Sequence, residues 1–215
     1  MNESFSYLIV GCGHFGSRAV EKLLQKDPSS RIIVVDKNKK ALQKVSHLPV
    51  ETEVMDGVSY LDKFFQKIKQ VDYIIPAVPF HFAFEFILSQ LKPMGAKKEK
   101  VPSLPGLPNP VMGHTGDLYT SFADFLCPED CSEPLHCSMT GEHRSIPLFR
   151  VLTNLSGPFE SKVIHSQQLG SGVGGFRFQR LLTLTRDLRK KKGKEQLVLI
   201  STACRCHGVT SALSF

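Results

Sequence analysis

The sequence contains no run of about 18 or more uncharged apolar residues, which is the length that a transmembrane helix needs. We therefore predict no direct insertion into a membrane. The N-terminus also lacks the order of basic, apolar and small residues that marks a secretory signal peptide, since Met1–Ser6 is short and polar. We accordingly expect a cytoplasmic protein. No internal repeat or low-complexity stretch occurs, and 215 residues suffice for one large or two small domains.

The formal net charge of +7 comes largely from one short segment near the C-terminus. Its basic residues are Arg189, Lys190, Lys191, Lys192 and Lys194. Without them the chain is nearly balanced in charge, and its basic residues are not interleaved with stacking aromatic residues. A solvated turn explains such a run better than a groove that follows a phosphate backbone. We therefore predict no nucleic-acid binding.

Apolar runs alternate with segments of helical periodicity along the first 95 residues. Tyr7–Val10 and Arg31–Asp36 are typical of buried parallel strands, and the apolar residues between them repeat at helical spacing. Two more strands are predicted at Val50–Val54 and Asp72–Ala77. Further helices are predicted from Lys39 to about His47, on the apolar set Val58, Leu61, Phe64, Phe65 and Ile68, and at Phe80–Leu91. This alternation predicts an α/β fold with a doubly wound, mostly parallel Rossmann-type sheet.

Prolines concentrate between Lys92 and Pro110 and mark a change in composition. We divide the chain there into a Rossmann dinucleotide-binding domain at residues 1–95, a proline-rich and cysteine-rich connecting segment at 96–147, and a C-terminal α/β portion at 148–215. The last portion is predicted to hold strands at Leu148–Leu155, Lys162–Leu169 and Gln196–Ser201 and a helix at Phe178–Leu188.

Residues 11–16 match the pattern G-x-G-x-x-G and lie between a predicted strand and a predicted helix. Gly11 would make the tight turn, Gly13 would let the backbone approach a pyrophosphate, and Gly16 would let the helix pack closely on the strand. Asp36 lies twenty residues after Gly16, at the end of the second strand, where a carboxylate suits a ribose 2′-hydroxyl. The arrangement predicts dinucleotide binding, and its alternative is a glycine turn that binds nothing.

A carboxylate at position 36 would repel a 2′-phosphate, so NAD is favoured over NADP as the cofactor. Lys37, Lys39 and Lys40 weaken that preference. The predicted cofactor-binding residues are Gly11, Gly13, His14, Phe15, Gly16, Asp36 and Lys37.

The order of these features resembles two known nucleotide-binding domains, the TrkA-N type of potassium-uptake regulators and the N-terminal domain of saccharopine-dehydrogenase-like oxidoreductases. The resemblance covers residues 5–91 and rests on YLIVGCGHFGSRAV, the strand ending in VVD, the Met55-Asp56-Gly57 turn and DYIIPAVPFH. The first family implies a ligand-sensing NAD(H) domain without catalysis. The second family implies hydride transfer on an amino-acid-like substrate.

His81 follows the fourth predicted strand, at the sheet edge where the nicotinamide ring of a cofactor would lie. The ordinary pKa of histidine near 6.5 suits acid or base catalysis, so His81 is the candidate catalytic residue, with a helix cap or wall as the alternative role. The Gly170–Gly175 turn precedes the helix predicted at Phe178. Its backbone N–H groups are predicted to bind a small anionic substrate, and a flexible turn is the alternative.

Cysteines outside the glycine motif form two groups about seventy residues apart. Their members are Cys127, Cys131, Cys137, Cys204 and Cys206. Because thiolates bind zinc and iron–sulfur clusters, we predict that the two groups meet around one zinc ion or one iron–sulfur centre. His207 adds an imidazole after the second group. The spacing matches neither paired C-x-x-C motifs nor a ferredoxin, and buried packing or redox-active thiols are the alternatives.

These features predict an NAD(H)-binding Rossmann-fold protein that is ligand-sensing or redox-linked and carries a cysteine-ligated metal site. Catalysis stays open, because no nucleophile–base pair can be found in the sequence. One alternative is an NAD-dependent oxidoreductase of the saccharopine-dehydrogenase-like type. The other is a non-catalytic regulatory subunit of a potassium-uptake system, with a membrane transporter as partner. A homo-oligomer is compatible with either.

Overall fold

Strands and helices alternate through the first half of the chain, as the hydrophobic pattern predicts. The computed structural model describes residues 4–64, 71–191 and 196–215. The elements of the first half are β1 (Ser6–Val10), α1 (His14–Lys26), β2 (Arg31–Asp36), α2 (Lys39–Leu42), β3 (Glu51–Val54), α3 (Gly57–Phe64), β4 (Tyr73–Pro76) and α4 (Phe82–Leu91). Phe65 and Ile68 of the predicted third helix, and Lys192 and Lys194 of the basic run, lie outside the described residues.

The first sheet is doubly wound. β1 pairs in parallel with β2 and β4, so that Leu8 lies between Ile33 and Ile74. Leu8 packs in one core, and the next residue, Ile9, packs in a second core on the opposite face. Since side chains alternate across a strand, helices on both faces are needed to cover such a sheet. The predicted α/β fold class is confirmed.

The second half adds strands to both of the sheets in the described part of the chain. Its elements are β5 (Lys97–Glu99), β6 (Val111–Met112), β7 (Leu118–Ser121), α5 (Leu148–Thr153), β8 (Phe159–His165), β9 (Gln167–Gly170), β10 (Val173–Arg177), α6 (Phe178–Arg189), β11 (Leu197–Ala203) and β12 (His207–Ser214). The first sheet has the order β3-β2-β1-β4-β10-β9, and the second has the order β6-β7-β12-β11-β8, with β5 also paired to β12.

The strand predicted at Leu148–Leu155 is wrong, because Leu148–Thr153 forms the helix α5. Leu148 and Leu152, four residues apart, are both fully buried on the core-facing side of this short helix. Pro147 stands at its N-terminal boundary, where the missing N–H of proline costs no helical hydrogen bond. Apolar runs of this length do not distinguish a strand from a short buried helix.

The glycine-rich segment Gly170–Gly175 is also not the predicted helix-terminal loop. It is the turn and second strand of a hairpin, in which β10 pairs antiparallel with β9 and with β4. The backbone of Gly174 and Gly175 therefore lies within the sheet ladder. Binding of an anionic substrate at the Gly170–Gly175 turn remains a prediction. The helix α6 starts at Phe178, as predicted, and begins directly after β10.

The two sheets share one hydrophobic core. Phe84 of α4 packs in the same hydrophobic cluster as Phe176 of β10 and Leu181 of α6. The cluster also includes Ile200 of β11, which belongs to the second sheet. The domain boundaries proposed from composition remain a prediction. Among the described residues, no helix has both the length and the apolar character needed to cross a bilayer.

Candidate functional site

The glycine motif forms a tight crossing between β1 and α1. Gly11 has a φ of +94°, a backbone conformation that is strained for any residue with a side chain. Its N–H donates to the carbonyl oxygen of Val35 over 2.8 Å. A Cβ atom at Gly11 would overlap the carbonyl oxygen of Ala77, and one at Gly16 would overlap the carbonyl oxygen of Gly11. Both positions thus need glycine for the backbone to pass so closely.

Gly13 differs from its two neighbours in the motif because open space lies above it. A Cβ atom built there meets no heavy atom within 4 Å. Gly13 is also the residue before α1, and no side chain caps the first N–H groups of that helix. Uncapped N–H groups and the positive end of the helix dipole suit an anion. The loop therefore fits the pyrophosphate of a dinucleotide.

The carboxylate of Asp36 is held at the edge of this loop by two backbone amides. Its Oδ2 accepts from the N–H of Cys12 over 2.6 Å, and its Oδ1 accepts from the N–H of Asn38 over 2.7 Å. The Cys12 side chain is buried beneath the loop, and burial, with Asp36 as the second cause, raises the pKa of its thiol. Lys37 is exposed beside Asp36. The structure therefore presents Asp36 at the end of β2, where a ribose would lie.

A loop from the second half closes over the start of α1. The Nε2 atom of His14 lies 2.9 Å from Oε1 of Glu129, and Arg18 forms an ion pair with the same carboxylate. Phe15, which is 63% exposed, lines a cavity of about 530 Å³ together with Cys127 and other residues of this loop. The glycine motif and the cysteine segment thus share one cavity.

A cleft continues from this cavity to the carboxyl end of β4. Cys204 and His207 line the 530 Å³ cavity and also a neighbouring cavity that Tyr119 and Thr202 line. Tyr119 and Thr202 in turn border a third cavity, whose wall includes Pro76, Val78, Pro79 and Phe80. In a Rossmann fold the nicotinamide ring lies beyond this end of the fourth strand. The cleft therefore places polar side chains of the second sheet opposite the predicted nicotinamide site.

His81 lies in the wall of this cleft and is only 2% exposed. Its Nδ1 lies 2.8 Å from Oγ of Ser211, and its Nε2 lies 2.9 Å from Oγ1 of Thr202. Ser211 donates its hydroxyl hydrogen to Asp117, which Lys98 also contacts at 3.0 Å. Ser211 must then accept from Nδ1–H, which leaves Nε2 as the acceptor for the Thr202 hydroxyl.

Burial lowers the pKa of His81 from 6.5 to about 3, against the opposing effect of Asp117. The imidazole is therefore neutral near pH 7, with both ring nitrogens occupied. This geometry matches the alternative role from the sequence analysis, in which His81 is a structural residue in the wall of the site. In that role the His81 ring orients the hydroxyl group of Thr202. Catalysis by His81 itself remains a prediction.

The two cysteine groups lie near each other, since Cys127 interacts electrostatically with Cys131 and Cys137, and Cys206 interacts with Cys127 and Cys131. Ligation of one metal by these cysteines remains a prediction. Among the described residues, three potential ligand atoms lie within 4.8 Å of one another, and they belong to Glu133, Cys204 and His207. Cys127 adjoins this group, with its Sγ atom 3.7 Å from Nε2 of His207. Burial and the neighbouring Glu133 raise the pKa of the Cys204 thiol far above its usual value.

The other predicted ligands lie outside this group. Cys131 lies in a turn in which its N–H donates to Pro128. Cys137 lies at the base of a small hairpin, where hydrogen bonds from Thr140 lower its pKa to about 7. Cys206 occupies the β11–β12 turn, and burial raises its pKa to about 11. All of these thiols are free.

The described geometry agrees with two matches to known families. The family model described as "Uncharacterized protein, C-terminal domain" matches residues 83–215. The chain belongs to this family. The model described as "Saccharopine dehydrogenase NADP binding domain" matches residues 7–88, so that these residues form a Rossmann-type NAD(P)-binding domain. The predicted resemblance to saccharopine-dehydrogenase-like domains is confirmed, whereas the resemblance to potassium-uptake regulators remains a prediction.

A relative of nearly equal length also matches. It is an uncharacterized protein of Archaeoglobus fulgidus, 28% identical over 220 residues, and the alignment covers 96% of this chain and 98% of that protein. The match spans both the glycine motif and the cysteine segment of the present chain. The two halves therefore occur together in both proteins.

Sequence reasoning missed several residues of the cleft. Glu129 and Glu133 lie between Cys127 and Cys137, but the sequence analysis considers only the thiols of this segment as ligands. Thr202 lies on β11 one residue beyond the strand predicted at Gln196–Ser201, and Tyr119 lies on β7, which the sequence analysis does not predict. A signal was present for Glu133, since zinc takes carboxylate oxygen as a ligand as well as thiolate sulfur.

Proposed function

We propose that this protein is an NAD(H)-linked oxidoreductase that binds its nucleotide at residues 11–16 and Asp36 and its substrate in the cleft between the sheets. The observation that carries the proposal is the shared cavity of about 530 Å³, in which Phe15 of the glycine motif faces Cys127, Cys204 and His207. A dinucleotide laid across a Rossmann sheet reaches from the glycine loop to the end of the fourth strand. The cleft follows the same path.

The nucleotide is held by backbone and by one carboxylate. Gly13 leaves space for the pyrophosphate above the uncapped start of α1. Asp36, fixed by the N–H groups of Cys12 and Asn38, accepts hydrogen bonds from the ribose hydroxyl groups. The bound nicotinamide supplies hydride transfer at the cleft.

The substrate is a small alcohol or amine, because the free polar groups beside the nicotinamide site accept hydrogen bonds. Thr202 donates its hydroxyl hydrogen to His81, so the lone pairs of its oxygen are free to accept from a substrate O–H or N–H in the cleft that Thr202 lines. Tyr119, which is 40% exposed, offers a phenol on the same wall. Val78, Pro79 and Phe80 make the opposite wall apolar.

This substrate class is tested with a panel of small alcohols and amines incubated with NAD⁺ while NADH absorbance is followed. Thr202→Val is expected to lower the turnover of any active substrate by about 10²-fold or more, since it removes a positioned acceptor. NADH affinity should not change. Thr153→Val is the control, because Thr153 is exposed and lines none of the three cavities that form the cleft. Turnover with no member of the panel by a protein that binds NADH would refute the substrate assignment.

The nucleotide preference is a separate expectation. NADH should bind at least about tenfold more tightly than NADPH, because the Asp36 carboxylate accepts from a free 2′-hydroxyl and repels a 2′-phosphate. Asp36→Asn keeps an acceptor for the N–H of Cys12 and removes the charge, so that the preference should vanish or reverse. Calorimetric titration measures both constants.

Asp124→Asn, which removes an exposed carboxylate elsewhere, is the matched control and should keep the preference. Tighter binding of NADPH by the wild-type protein would overturn the role of Asp36. Binding of neither nucleotide would overturn the proposed function itself.

A nucleotide sensor is the second candidate, and the contact of Glu129 with His14 and Arg18 favours it. A nucleotide on the glycine motif would reach this contact and change the loop that carries Cys127 and Cys131. NADH should then slow the reaction of these two thiols with a thiol reagent, and Glu129→Gln should remove the protection. Equal protection in wild type and variant would exclude this coupling.

A further inference from the structure

A carboxylate, a thiol and an imidazole meet in the wall of the cavity that Phe15 of the nucleotide-binding loop also lines. The ligand atoms of Glu133, Cys204 and His207 all lie within 4.8 Å of one another. Carboxylate oxygen, thiolate sulfur and imidazole nitrogen are the three ligand types that zinc takes from proteins. We propose that these side chains bind one zinc ion as a three-residue site whose fourth coordination position faces the cavity.

The backbone holds two of the three ligands together. Cys204 is the first residue of the short turn that follows β11, and His207 is the first residue of β12 directly after that turn. The N–H of Cys204 donates to the carbonyl oxygen of His207 over 2.9 Å, and the N–H of His207 donates to Sγ of Cys204 over 3.3 Å. A closed turn of this kind presents thiol and imidazole on the same side before any ion arrives, which reduces the entropy lost on binding.

Glu133 is brought to the turn by an unusual backbone conformation. Its φ of +54° lies in the left-handed region, which is costly for a residue with a side chain. Its Oε2 accepts from the N–H of Arg205, in the middle of the same turn, over 3.1 Å. That hydrogen bond orients the carboxylate and resembles the outer contacts that hold metal-binding carboxylates in place.

The spacing of the ligands suits a tetrahedral ion. Sγ of Cys204 lies 3.8 Å from Nδ1 of His207. A sulfur and a nitrogen at normal zinc distances lie about 3.6 Å apart in a tetrahedral site. We therefore assign Nδ1 as the ligand atom. Nε2, on the other edge of the ring, is 3.7 Å from Sγ of Cys127 and donates its hydrogen there, which fixes the tautomer and the ring orientation.

This assignment means that Cys127 is not a ligand of the zinc ion. One imidazole cannot place both of its nitrogens on the same ion, so the thiol that faces Nε2 supports the ligand and does not bind the metal. Cys131, Cys137 and Cys206 have no place in the group. The proposed centre is therefore a Glu-Cys-His site, and not the all-cysteine site that the sequence predicts.

An ion at this place would have one accessible coordination position. Glu133, Cys204 and His207 line the cavity of about 530 Å³ that also reaches Phe15. Three protein ligands with an open fourth position are typical of catalytic zinc, whereas structural zinc is closed by four. A substrate oxygen or a water in that position would be polarised by the ion. The role in turnover rests on the proposed function, but zinc binding itself does not.

Cobalt titration tests the site without nucleotide or substrate. The full chain is treated with a chelator, dialysed, and titrated with Co²⁺ while the thiolate-to-cobalt absorption band is recorded. We expect the band to saturate at one ion per chain and Zn²⁺ to displace the cobalt. Cys204→Ser should abolish the band, and His207→Gln and Glu133→Gln should each weaken binding at least tenfold.

Matched cysteine variants separate this site from the alternatives. Cys12→Ser and Cys137→Ser should bind like the wild type, and Cys127→Ser should keep the band but bind about 10- to 100-fold more weakly. Absence of saturable cobalt binding by the wild type overturns the proposal. Loss of the band in Cys137→Ser overturns it as well, in favour of the all-cysteine site.

Folding and nucleotide binding are measured in parallel. A thermal melt of each chelator-treated variant shows whether it is folded, and His207→Gln decides the question should Cys204→Ser unfold. NADH titration of the chelator-treated wild type reports on the proposed function alone. Failure of the zinc site and failure of the nucleotide site therefore give different results.

Discussion

We expect Gly13→Val to abolish detectable NADH binding and to leave the protein folded. Space above Gly13 is open, so the branched side chain meets no protein atom, and the extended backbone of this residue suits valine. The same side chain fills the place of the pyrophosphate. We expect NADH affinity to fall at least about a hundredfold, which corresponds to roughly 2.7 kcal/mol. Stability should fall by only about 1 kcal/mol, because valine is a poor residue before a helix.

Gly16→Val is the matched control, since it carries the same side chain three residues away. A Cβ atom at Gly16 overlaps the carbonyl oxygen of Gly11, so this variant must push α1 away from the sheet. It should unfold or lose several kcal/mol of stability, an effect of steric overlap within the fold. Urea unfolding and calorimetric NADH titration measure both properties. Gly13→Val with the affinity of the wild type would show that the nucleotide does not cross this loop.

The first half of the fold could be predicted because its local signals agree. Ile32, Ile33, Val34 and Val35 form an uninterrupted apolar run that only a strand buried on both faces explains, and the structure buries all four. The glycine motif follows one such strand and opens a helix. Local propensity and tertiary burial therefore favour the same conformation.

The strand β12 of the second half is not predicted from the sequence, because it contains polar residues that are buried in the structure. β12 contains Thr210 and Ser211, which look like surface residues but are fully buried. The Thr210 hydroxyl pairs with that of Ser201 on β11 at 2.7 Å. Such hydroxyl groups satisfy one another across the sheet, so their burial costs little. Nothing in the sequence of either strand indicates that partner.

The candidate site was predicted in the same uneven way. Gly11, Gly13, Gly16 and Asp36 lie in a local motif, and the structure places them together. The group around Cys204 depends on long-range contacts, because Glu133 comes from a loop about seventy residues earlier. Thiols could be recognised as possible ligands from composition, but which thiol meets a carboxylate is decided by the path of the chain between them.

Acid should destabilise the protein through His81 well above the pH at which carboxylates titrate. Burial lowers the pKa of His81 to about 3, whereas the unfolded chain has the ordinary value of 6.5. Between these two pKa values, His81 is protonated in the unfolded state and neutral in the folded state. Stability is therefore complete above about pH 6.5 and falls as the pH decreases, by roughly 3 kcal/mol at about pH 4.5.

His81→Asn removes this titration. The variant should be less stable near neutral pH by about 2 kcal/mol, because it leaves a cavity and imperfect partners for Ser211 and Thr202. Its stability should nevertheless decline much less on acidification, so that the two stability curves cross near about pH 5. Asp117, whose pKa is lowered, adds a loss in both proteins, but at lower pH. Urea unfolding at a series of pH values gives both curves.

His114→Asn, a change to an exposed histidine, should follow the wild-type curve. A role of His81 in holding Thr202 predicts a second effect, since Thr202 loses the partner for its hydroxyl hydrogen. In His81→Asn the turnover of an active substrate should fall while NADH affinity stays the same. If the variant and the wild type lose stability equally between about pH 6.5 and 4.5, the lowered pKa of the buried His81 is not the cause of the acid destabilisation.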